Sequence, residues 1–314
     1  MTMSAQVARV RTGVALVLAA VACFAALDTA TKLIALSVPA LMLIWFRYSF
    51  QALLTLGVLL PRQGTRLFLT RHPGLQLLRG VLLVFSSLIT FFSLKHLPVG
   101  EFTAVVMLTP LLITVVASLA MGQGRVSALR WALLLGGLIG ALLVIRPGGE
   151  LFQPASLLPL LMMGAMTAFQ LLTSRLAQLE PIGTTHFYTG LFGAVVGSVA
   201  LPWVWQTPDS ATTWWVLLLV CVFSSLGHLF LILAYDRAPA VELTPFLYFQ
   251  IGFAMLGGWW MFDHMPDLLA WLGMAVIAVC GVLGTWFSAR ENRRRQQPVA
   301  SGDSVAETWA EVAP

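Results

Sequence analysis

Two stretches of the sequence repeat one another: LPVGEFTAVVMLTP at residues 97–110 and APAVELTPFLYFQI at residues 238–251. A register of 141 residues pairs Pro98 with Pro239, Glu101 with Glu242, Thr103 with Thr244, Gly140 with Gly281 and Leu142 with Leu283. Because the register persists across two apolar helices, it indicates an internal repeat. We therefore predict a chain built from two related halves.

The composition places both halves in a membrane. Of the 314 residues, 59% are hydrophobic and only 10% are charged, against about 25% charged in a typical soluble domain. A spanning helix needs about 20 mostly apolar residues. Division of the chain at Pro, Gly and charged residues predicts ten helices, at residues 13–36, 39–60, 75–95, 98–121, 130–146, 154–176, 184–204, 212–235, 239–262 and 267–289.

Five of these predicted helices fall in each half, at residues 13–146 and 154–289. A cytoplasmic N-terminus (1–12) and a disordered cytoplasmic tail (290–314) complete the chain. An odd number of spans gives the two halves opposite orientations, which is the arrangement of secondary transporters with a site near the midplane. The predicted fold class is an all-α polytopic membrane protein with ten transmembrane helices in two inverted five-helix repeats.

Basic residues set the orientation, because short cytoplasmic segments carry an excess of Lys and Arg. With the N-terminus inside, the outer side holds only Lys95 and Arg146. The inner side holds Arg9, Arg11, Arg62, Arg66, Arg71, Arg79, Arg125, Arg130, Arg175, Arg237, Arg290, Arg293, Arg294 and Arg295. We predict a multi-pass protein of the cytoplasmic (inner) membrane with both termini in the cytoplasm, and the net charge of +5 requires no nucleic-acid partner.

Several short motifs occur in the order found in a known family. They are LDTATK at 27–32, FR at 46–47, LLRG at 77–80, LKHLPVGEFTAVVMLTPLL at 94–112, GGLIGALLVIRPGG at 136–149 and TSRLA at 173–177. With these motifs the chain resembles the drug/metabolite transporter superfamily, specifically ten-helix transporters of the EamA type. The resemblance implies transport of amino acids and their derivatives, S-adenosylmethionine-like or riboflavin-like compounds, or drugs.

Charge inside the predicted spans is scarce and costly, so it marks candidate functional residues. Asp28 on helix one and Arg47 on helix two both lie roughly 12 Å from the outer ends of their helices. One interpretation is a polar cavity floor, where Arg47 binds a carboxylate or phosphate and Asp28 binds an ammonium group. The alternative is a buried structural ion pair that includes Lys32, one turn beyond Asp28. Lys32 by itself and Arg79 are expected to snorkel toward the membrane surface.

Three further titratable residues are candidates for gating or coupling. Glu101 and Glu242 each follow a proline by three residues, and a carboxylate in the first helical turn is favoured by the helix dipole. In inverted halves they would lie on opposite membrane faces, so a gating or proton-coupling role is the second interpretation. His228 on helix eight is either an interhelical hydrogen-bonding residue or a proton carrier.

Polar and aromatic residues near the middle of the spans complete the predicted cavity wall. They are Tyr48, Thr109, Gln170, Tyr248 and Gln250. Thr109 and Gln250 share one position in the repeat register. Pro110 removes a backbone hydrogen bond and is expected to kink helix four. The alternative to a cavity wall is that these polar side chains only form hydrogen bonds to neighbouring helices.

Small residues predict close helix packing, either within the chain or in a homodimer. They are Gly136, Gly140, Gly193, Gly197, Gly281 and Gly284. The three cysteines are widely separated and favour neither a disulfide framework nor a metal site. No Walker A loop, HExxH or GxSxG motif is present in the sequence, so neither an ATP-driven pump nor a hydrolytic enzyme is predicted, and no cofactor or metal.

These observations predict a secondary transporter of small metabolites such as amino acids or related solutes. It would work by alternating access between the inverted repeats, in export or exchange. The alternatives are a lipid or headgroup flippase and an uptake carrier of the vitamin or nucleoside type. The expected partners are a small-molecule substrate and membrane lipid, with the chain a monomer or a homodimer.

Overall fold

The computed structural model describes residues 3–120, 128–145, 154–238, 243 and 246–296, and every regular element in these ranges is a helix. The α-helices are α1 (Met3–Ile34), α2 (Ala40–Gln63), α3 (Pro73–His96), α4 (Val99–Val106), α5 (Thr109–Ala120), α6 (Ala128–Ile145), α7 (Leu158–Leu179), α8 (Ile182–Val204), α9 (Ala211–Arg237), α10 (Phe249–Phe262) and α11 (Leu268–Gln296). Two 3-10 turns, Gly64–Phe68 and Pro154–Leu157, precede α3 and α7.

Prolines and one serine fix several helix starts. Pro39, Pro98 and Pro181 stand in extended conformation directly before α2, α4 and α8. A proline there costs nothing, because the first turn of a helix has no intrahelical use for its N–H groups. Before α9, the Ser210 side chain accepts a 3.2 Å hydrogen bond from the backbone N–H of Thr213, as expected of an N-cap.

Among the described residues, six helical segments are individually long and apolar enough to cross a membrane. They are Ala8–Ile34, Ala40–Phe68, Pro73–His96, Pro154–Leu179, Ile182–Val204 and Ala211–Arg237. Shorter apolar helices cover Val99–Ile113, Trp131–Val144 and Leu268–Gly284. The structure therefore confirms an all-helical chain with several membrane-spanning helices.

The two terminal helices are longer than predicted. α1 begins at Met3 instead of residue 13, and α11 runs to Gln296 instead of residue 289. Both extensions are rich in charged or polar residues. A prediction from hydropathy ends a span where the apolar run ends, so it does not include them. The remainder of the predicted tail, from residue 297, lies outside the described residues, as does residue 239, where helix nine was predicted to begin.

The predicted helix 98–121 is interrupted, and α4 and α5 are separated by a turn at Met107 and Leu108. The carbonyl of Val106 would normally bond to the N–H of residue 110, but that residue is proline. The Thr109 hydroxyl takes its place and donates to the Val106 carbonyl over 2.6 Å. A second turn, at Tyr248, directly precedes α10.

The helices pack in pairs that join the first half of the chain to the second. The most extensive pairs are α1 with α9, α2 with α8, α6 with α11, and α3 with α7. Smaller contacts join α1 to α10, α2 to α9, α4 to α10, α3 to α8 and α5 to α7. The largest buried apolar cluster includes residues of α1, α4, α9, α10 and α11, so the core lies between the halves.

The predicted small residues lie at these intramolecular contacts. A Cβ on Gly193 or Gly197 would meet Tyr48 or Trp45 of α2, and one on Gly140 would meet the backbone of α11. Cβ positions on Gly136, Gly281 and Gly284 would meet Cys280, Tyr248 and Leu111 respectively. Packing within the chain therefore accounts for these glycines.

Candidate functional site

A central cavity lies between the helices of the two halves. It contains about 1000 Å³ of space, including its mouth, and α1, α2, α3, α4, α5, α7, α9 and α10 all contribute to its wall. Asp28, Arg47, Thr109, Gln170, His228 and Gln250 line it. The structure therefore brings six of the residues singled out in the sequence to one place.

Asp28 and Arg47 are both buried and both face this cavity, with exposed fractions of 8% and 6%. The Nε and Nη2 atoms of Arg47 donate to the Ser224 hydroxyl of α9 over 3.2 and 3.1 Å. Arg47 also interacts electrostatically with the Asp28 carboxyl. Yet within the described ranges no basic side chain forms a direct ion pair with Asp28, so its carboxylate faces the cavity.

Lys32 does not pair with Asp28. Its ammonium group donates to the carbonyls of Leu94 and Leu97 at the end of α3, over 2.9 and 2.7 Å. The same group lies 5.6 Å from the centre of the Phe262 ring. Carbonyls at the C-terminal end of a helix lack a helical partner, and a lysine side chain can satisfy them. Lys32 of α1 does so at the end of α3 and thereby stabilises the α3–α4 connection.

Arg79 does not snorkel to the membrane surface, contrary to the prediction from the sequence. It is 2% exposed and lines the cavity. Its Nε donates to the Thr173 hydroxyl of α7 over 2.9 Å, and its Nη1 donates to the Thr185 carbonyl and the Thr189 hydroxyl of α8. The guanidinium carbon lies 4.8 Å from the centre of the Phe169 ring. The cavity therefore presents two guanidinium groups and one carboxylate.

The rest of the wall is mostly apolar and includes aromatic rings and thioethers. These residues are Phe24, Phe102, Met107, Met162, Met166 and Phe169. Gln170 is held in place by the Tyr235 hydroxyl, which donates to Gln170 Oε1 over 3.1 Å. A site with a few fixed polar groups on an apolar, aromatic surface is typical of small-molecule binding.

His228 is packed against two of these aromatic rings. Its ring centre lies 5.2 Å from that of Phe24, edge to face, and 6.4 Å from that of Phe169. Neither ring nitrogen makes a well-formed hydrogen bond within the part of the chain that the structure describes, although the backbone of Ser224 is close. The imidazole is thus available to a ligand in the cavity.

Tyr48 and Tyr248 lie behind the cavity wall instead of on it. The Tyr48 hydroxyl is 2.6 Å from the Ser87 hydroxyl, and its ring fills the space left by Gly193. The Tyr248 ring packs in the same way against Gly281. Each tyrosine ring packs into the space above a glycine of another helix. The sequence pattern of a single helix does not reveal such a contact between helices.

Glu101, one of the three predicted gating or coupling residues, does not line the cavity. Glu101 is in the first turn of α4, and its Oε1 is 3.4 Å from Nε2 of His264 in the α10–α11 connection. Glu242 lies outside the described residues. Pro110 is in the first turn of α5, beside the cavity residue Thr109.

A second histidine, which the sequence patterns do not single out, is also buried. His186 is 4% exposed, with Nδ1 2.7 Å from the Thr55 hydroxyl and Nε2 3.2 Å from the Ser225 carbonyl. Its own carbonyl accepts from Gln51 Nε2 over 3.1 Å. Polar residues four apart on α8, Thr185 and Thr189, are the sequence signal that could have indicated this buried polar face.

A cavity with a few polar groups on an apolar and aromatic wall has the character of a small-molecule site. The comparisons with known proteins agree with this interpretation. The model of the EamA-like transporter family matches residues 11–146. A riboflavin transporter of Rhizobium johnstonii is 30% identical over 286 residues, which cover 90% of this chain and 92% of that protein. The chain belongs to the EamA-like transporter family.

Two more similarities accompany this membership. A pseudopaline exporter of Pseudomonas aeruginosa is 27% identical over 280 residues, covering 86% of this chain and 94% of the exporter. A crystal structure of a protein superposes with a TM-score of 0.63 at 16% identity, covering 91% of this chain and 99% of that one, which shows a shared fold. This member of the EamA-like family is a membrane transporter and not an enzyme.

Proposed function

We propose that the chain is a secondary transporter that carries a small organic metabolite through the central cavity by alternating access. The observation that supports this most directly is the meeting of Asp28, Arg47 and Arg79 in one cavity between the two halves. Charges at this depth are costly unless they are functional or paired. Asp28 lacks a direct ion pair among the described side chains, so a substrate is the group we assign to it.

The cavity chemistry indicates the substrate class. Two guanidinium groups against one carboxylate favour an anionic group on the substrate, because arginine binds carboxylates and phosphates with two parallel hydrogen bonds. The Asp28 carboxylate, which has no direct ion pair among the described side chains, favours an ammonium group or another hydrogen-bond donor. Phe24, Phe102 and Phe169 favour an apolar or aromatic body. We propose amino acids with large side chains and related zwitterionic metabolites.

The packing of the helices supports two inverted repeats. If α1, α2, α3, α4 with α5, and α6 correspond to α7, α8, α9, α10 and α11, the most extensive contacts between the halves each have a counterpart. The pair α1 with α9 corresponds to α7 with α3, and α2 with α9 corresponds to α8 with α3. The pairs α2 with α8, α4 with α10, and α6 with α11 are their own counterparts. A twofold axis between the halves produces this pattern.

The ten-span topology with cytoplasmic termini is part of the same proposal. The shorter helices would span the membrane by joining across their interruptions, as discontinuous helices of transporters do. The distribution of Lys and Arg supports cytoplasmic termini. We assign Glu101 and His264 to an outer gate, and Glu242 to its counterpart on the cytoplasmic side. His228 is assigned to the cavity as a hydrogen-bonding or proton-accepting group.

A flux screen in proteoliposomes tests the proposed function. Purified protein would be reconstituted and presented with radiolabelled aromatic and aliphatic amino acids, nucleosides and riboflavin. We expect saturable flux of a zwitterionic or anionic solute, reduced at least about tenfold in Arg47→Ala and Asp28→Asn because each loses a charged contact. Asp209→Asn and Arg237→Ala, which change exposed charges, are the matched controls. Full flux in both cavity variants would refute the assignment.

A vitamin-type uptake carrier is the second candidate. The aromatic and thioether wall suits a flat heteroaromatic ring, and one relative is named a riboflavin transporter. The same screen separates the two candidates. Riboflavin flux that is unaffected by Asp28→Asn but lost in Phe169→Ala would favour the second.

A further inference from the structure

A loop carboxylate joins the two halves of the chain at one end of the bundle. Glu180 follows α7, and its Oε1 lies within hydrogen-bonding distance of four groups in the α2–α3 connection. These groups are the Thr70 hydroxyl at 2.9 Å, the Arg71 N–H at 2.8 Å, and the His72 N–H and Nδ1, both at 3.0 Å. The Glu180 side chain is only 2% exposed, which is unusual for a glutamate in a connecting loop.

The contact is selective for the charged form of the carboxyl group. Burial raises the pKa of Glu180, but the hydrogen bonds from His72, Thr70 and the two backbone N–H groups outweigh burial and lower the pKa below its ordinary value. Glu180 is therefore an anion at neutral pH, with its charge directed at the connection between α2 and α3.

Neighbouring contacts fasten the same connection to α8. The Tyr188 hydroxyl donates to the Phe68 carbonyl over 2.9 Å. The Phe68 and Phe187 rings meet edge to face at 5.3 Å. Leu67, fully buried, packs with Phe187 in a small apolar cluster. These contacts close the bundle at the end where Glu180 lies, which is the cytoplasmic end in the proposed topology.

A buried polar layer lies between this closed end and the cavity. Within the described ranges, four of its polar atoms have no hydrogen-bond partner: Gln51 Oε1, Gln76 Oε1, Thr184 Oγ1 and Ser225 Oγ. They belong to α2, α3, α8 and α9, and all four residues are at most 3% exposed. Buried polar groups almost always find partners. Water that enters this layer when the end of the bundle opens would provide all four atoms with partners.

We propose that Glu180 is the latch of a gate at this end of the bundle, and that its release opens a water-filled path through the polar layer to the cavity. This inference rests on the proposed function, since it assigns to alternating access the element that holds one end closed. Glu180 acts here by positioning the α2–α3 connection and does not contact the substrate.

Cysteine accessibility tests the latch without any transport measurement. The background is a variant with Cys23, Cys221 and Cys280 replaced by alanine. Thr184→Cys is the reporter, because the Thr184 hydroxyl has no partner to lose. Membrane vesicles of defined orientation are treated with an impermeant maleimide on the face that carries the Thr70–His72 connection. We expect labelling to become roughly tenfold faster in Glu180→Ala, the population shift that follows loss of a charge-assisted hydrogen bond.

Two controls make the result specific. Asp236→Ala removes another acid from the same end, where its side chain is 43% exposed, and it should leave labelling unchanged. Ser93→Cys reports on the opposite end of α3, where Ser93 is fully buried, and its labelling should not rise in Glu180→Ala. If Glu180→Ala reduces folding, Glu180→Gln, which keeps the shape, takes its place.

The possible outcomes separate the latch from the proposed function. Faster labelling of Thr184→Cys alone supports the latch, even if the flux screen finds no substrate. Unchanged labelling overturns the latch, even if flux is found. Faster labelling of both reporters, or an equal effect of Asp236→Ala, also overturns it, because these results show general loosening of the bundle.

Discussion

The two halves approach each other closely where α6 crosses α11 at Gly140. A Cβ added to Gly140 would lie 2.7 Å from the carbonyl oxygen of Gly273, 3.0 Å from Cγ1 of Ile277 and 3.2 Å from the Ile277 nitrogen. Two of these three atoms belong to the backbone, so no side-chain rotation relieves the contact. Gly140→Ala therefore forces α11 away from α6.

The size of the effect follows from two opposing contributions. Over-packing a core costs about 1–3 kcal/mol, and the backbone contacts at Gly140 favour the upper part of that range. Alanine is about 1 kcal/mol better than glycine in a helix. The expected net loss is about 1–2 kcal/mol, roughly a five- to thirtyfold change in the folding equilibrium.

Gly164 in α7 is the matched control, because a Cβ there would meet no atom within 4 Å. Gly164→Ala keeps only the helix-propensity gain, so it should stabilise the protein by about 0.5–1 kcal/mol. Reversible unfolding in mixed detergent micelles measures both variants. The reasoning is refuted if Gly140→Ala is as stable as the unchanged protein, or if the two variants shift stability in the same direction.

Three further predictions concern single side chains. Thr109→Val keeps the side-chain shape but leaves the buried Val106 carbonyl without its hydrogen bond. It should therefore cost about 1–3 kcal/mol of stability in the same unfolding assay, and equal stability of the two proteins would count against this role. Because the folded-state pKa of Glu180 is lowered from 4.5, its stabilisation is complete above pH 4.5 and is lost as the pH falls through the lower folded value. Thermal unfolding should thus show a deficit for Glu180→Gln that is constant from pH 7 to about 5 and shrinks below 4.5, whereas a deficit that grows in acid would contradict the sign. Ser224→Ala removes the hydroxyl that holds Arg47 and should raise KM about tenfold for an anionic solute with little change for a neutral one, as flux assays can show.

The helices could largely be predicted from the sequence because the membrane imposes a strong and local signal. Apolar runs bounded by prolines placed α2, α3, α8 and α9 within a few residues of their observed bounds. The errors occur where the signal is weak. The start of α1 and the end of α11 are polar helical extensions, and hydropathy carries no information about where such a helix ends.

The site was predictable only in part, because depth along a helix is easier to infer than direction around it. Scarcity of charge was enough to select Asp28 and Arg47. Arg79 was misjudged because its depth suggested snorkelling, while the hydroxyls that bind it lie on α7 and α8, distant in sequence. Tyr48 and Tyr248 were assigned to the cavity for their chemistry, but glycines on facing helices turn both rings into packing groups.

The turns at Met107 and Tyr248 share one position in the proposed repeat, although the prolines near them do not. Met107 and Tyr248 are equivalent in the 141-residue register, yet Pro110 follows the first turn and Pro245 precedes the second. A proline removes only the hydrogen bond of its own nitrogen, so proline placement alone does not explain why both turns fall at the same position. What the two turns share is the cavity, which Met107 and Gln250 both line. Interrupted backbone at membrane depth is tolerated where it faces a cavity, so a turn at this position is compatible with the membrane in both halves of the chain.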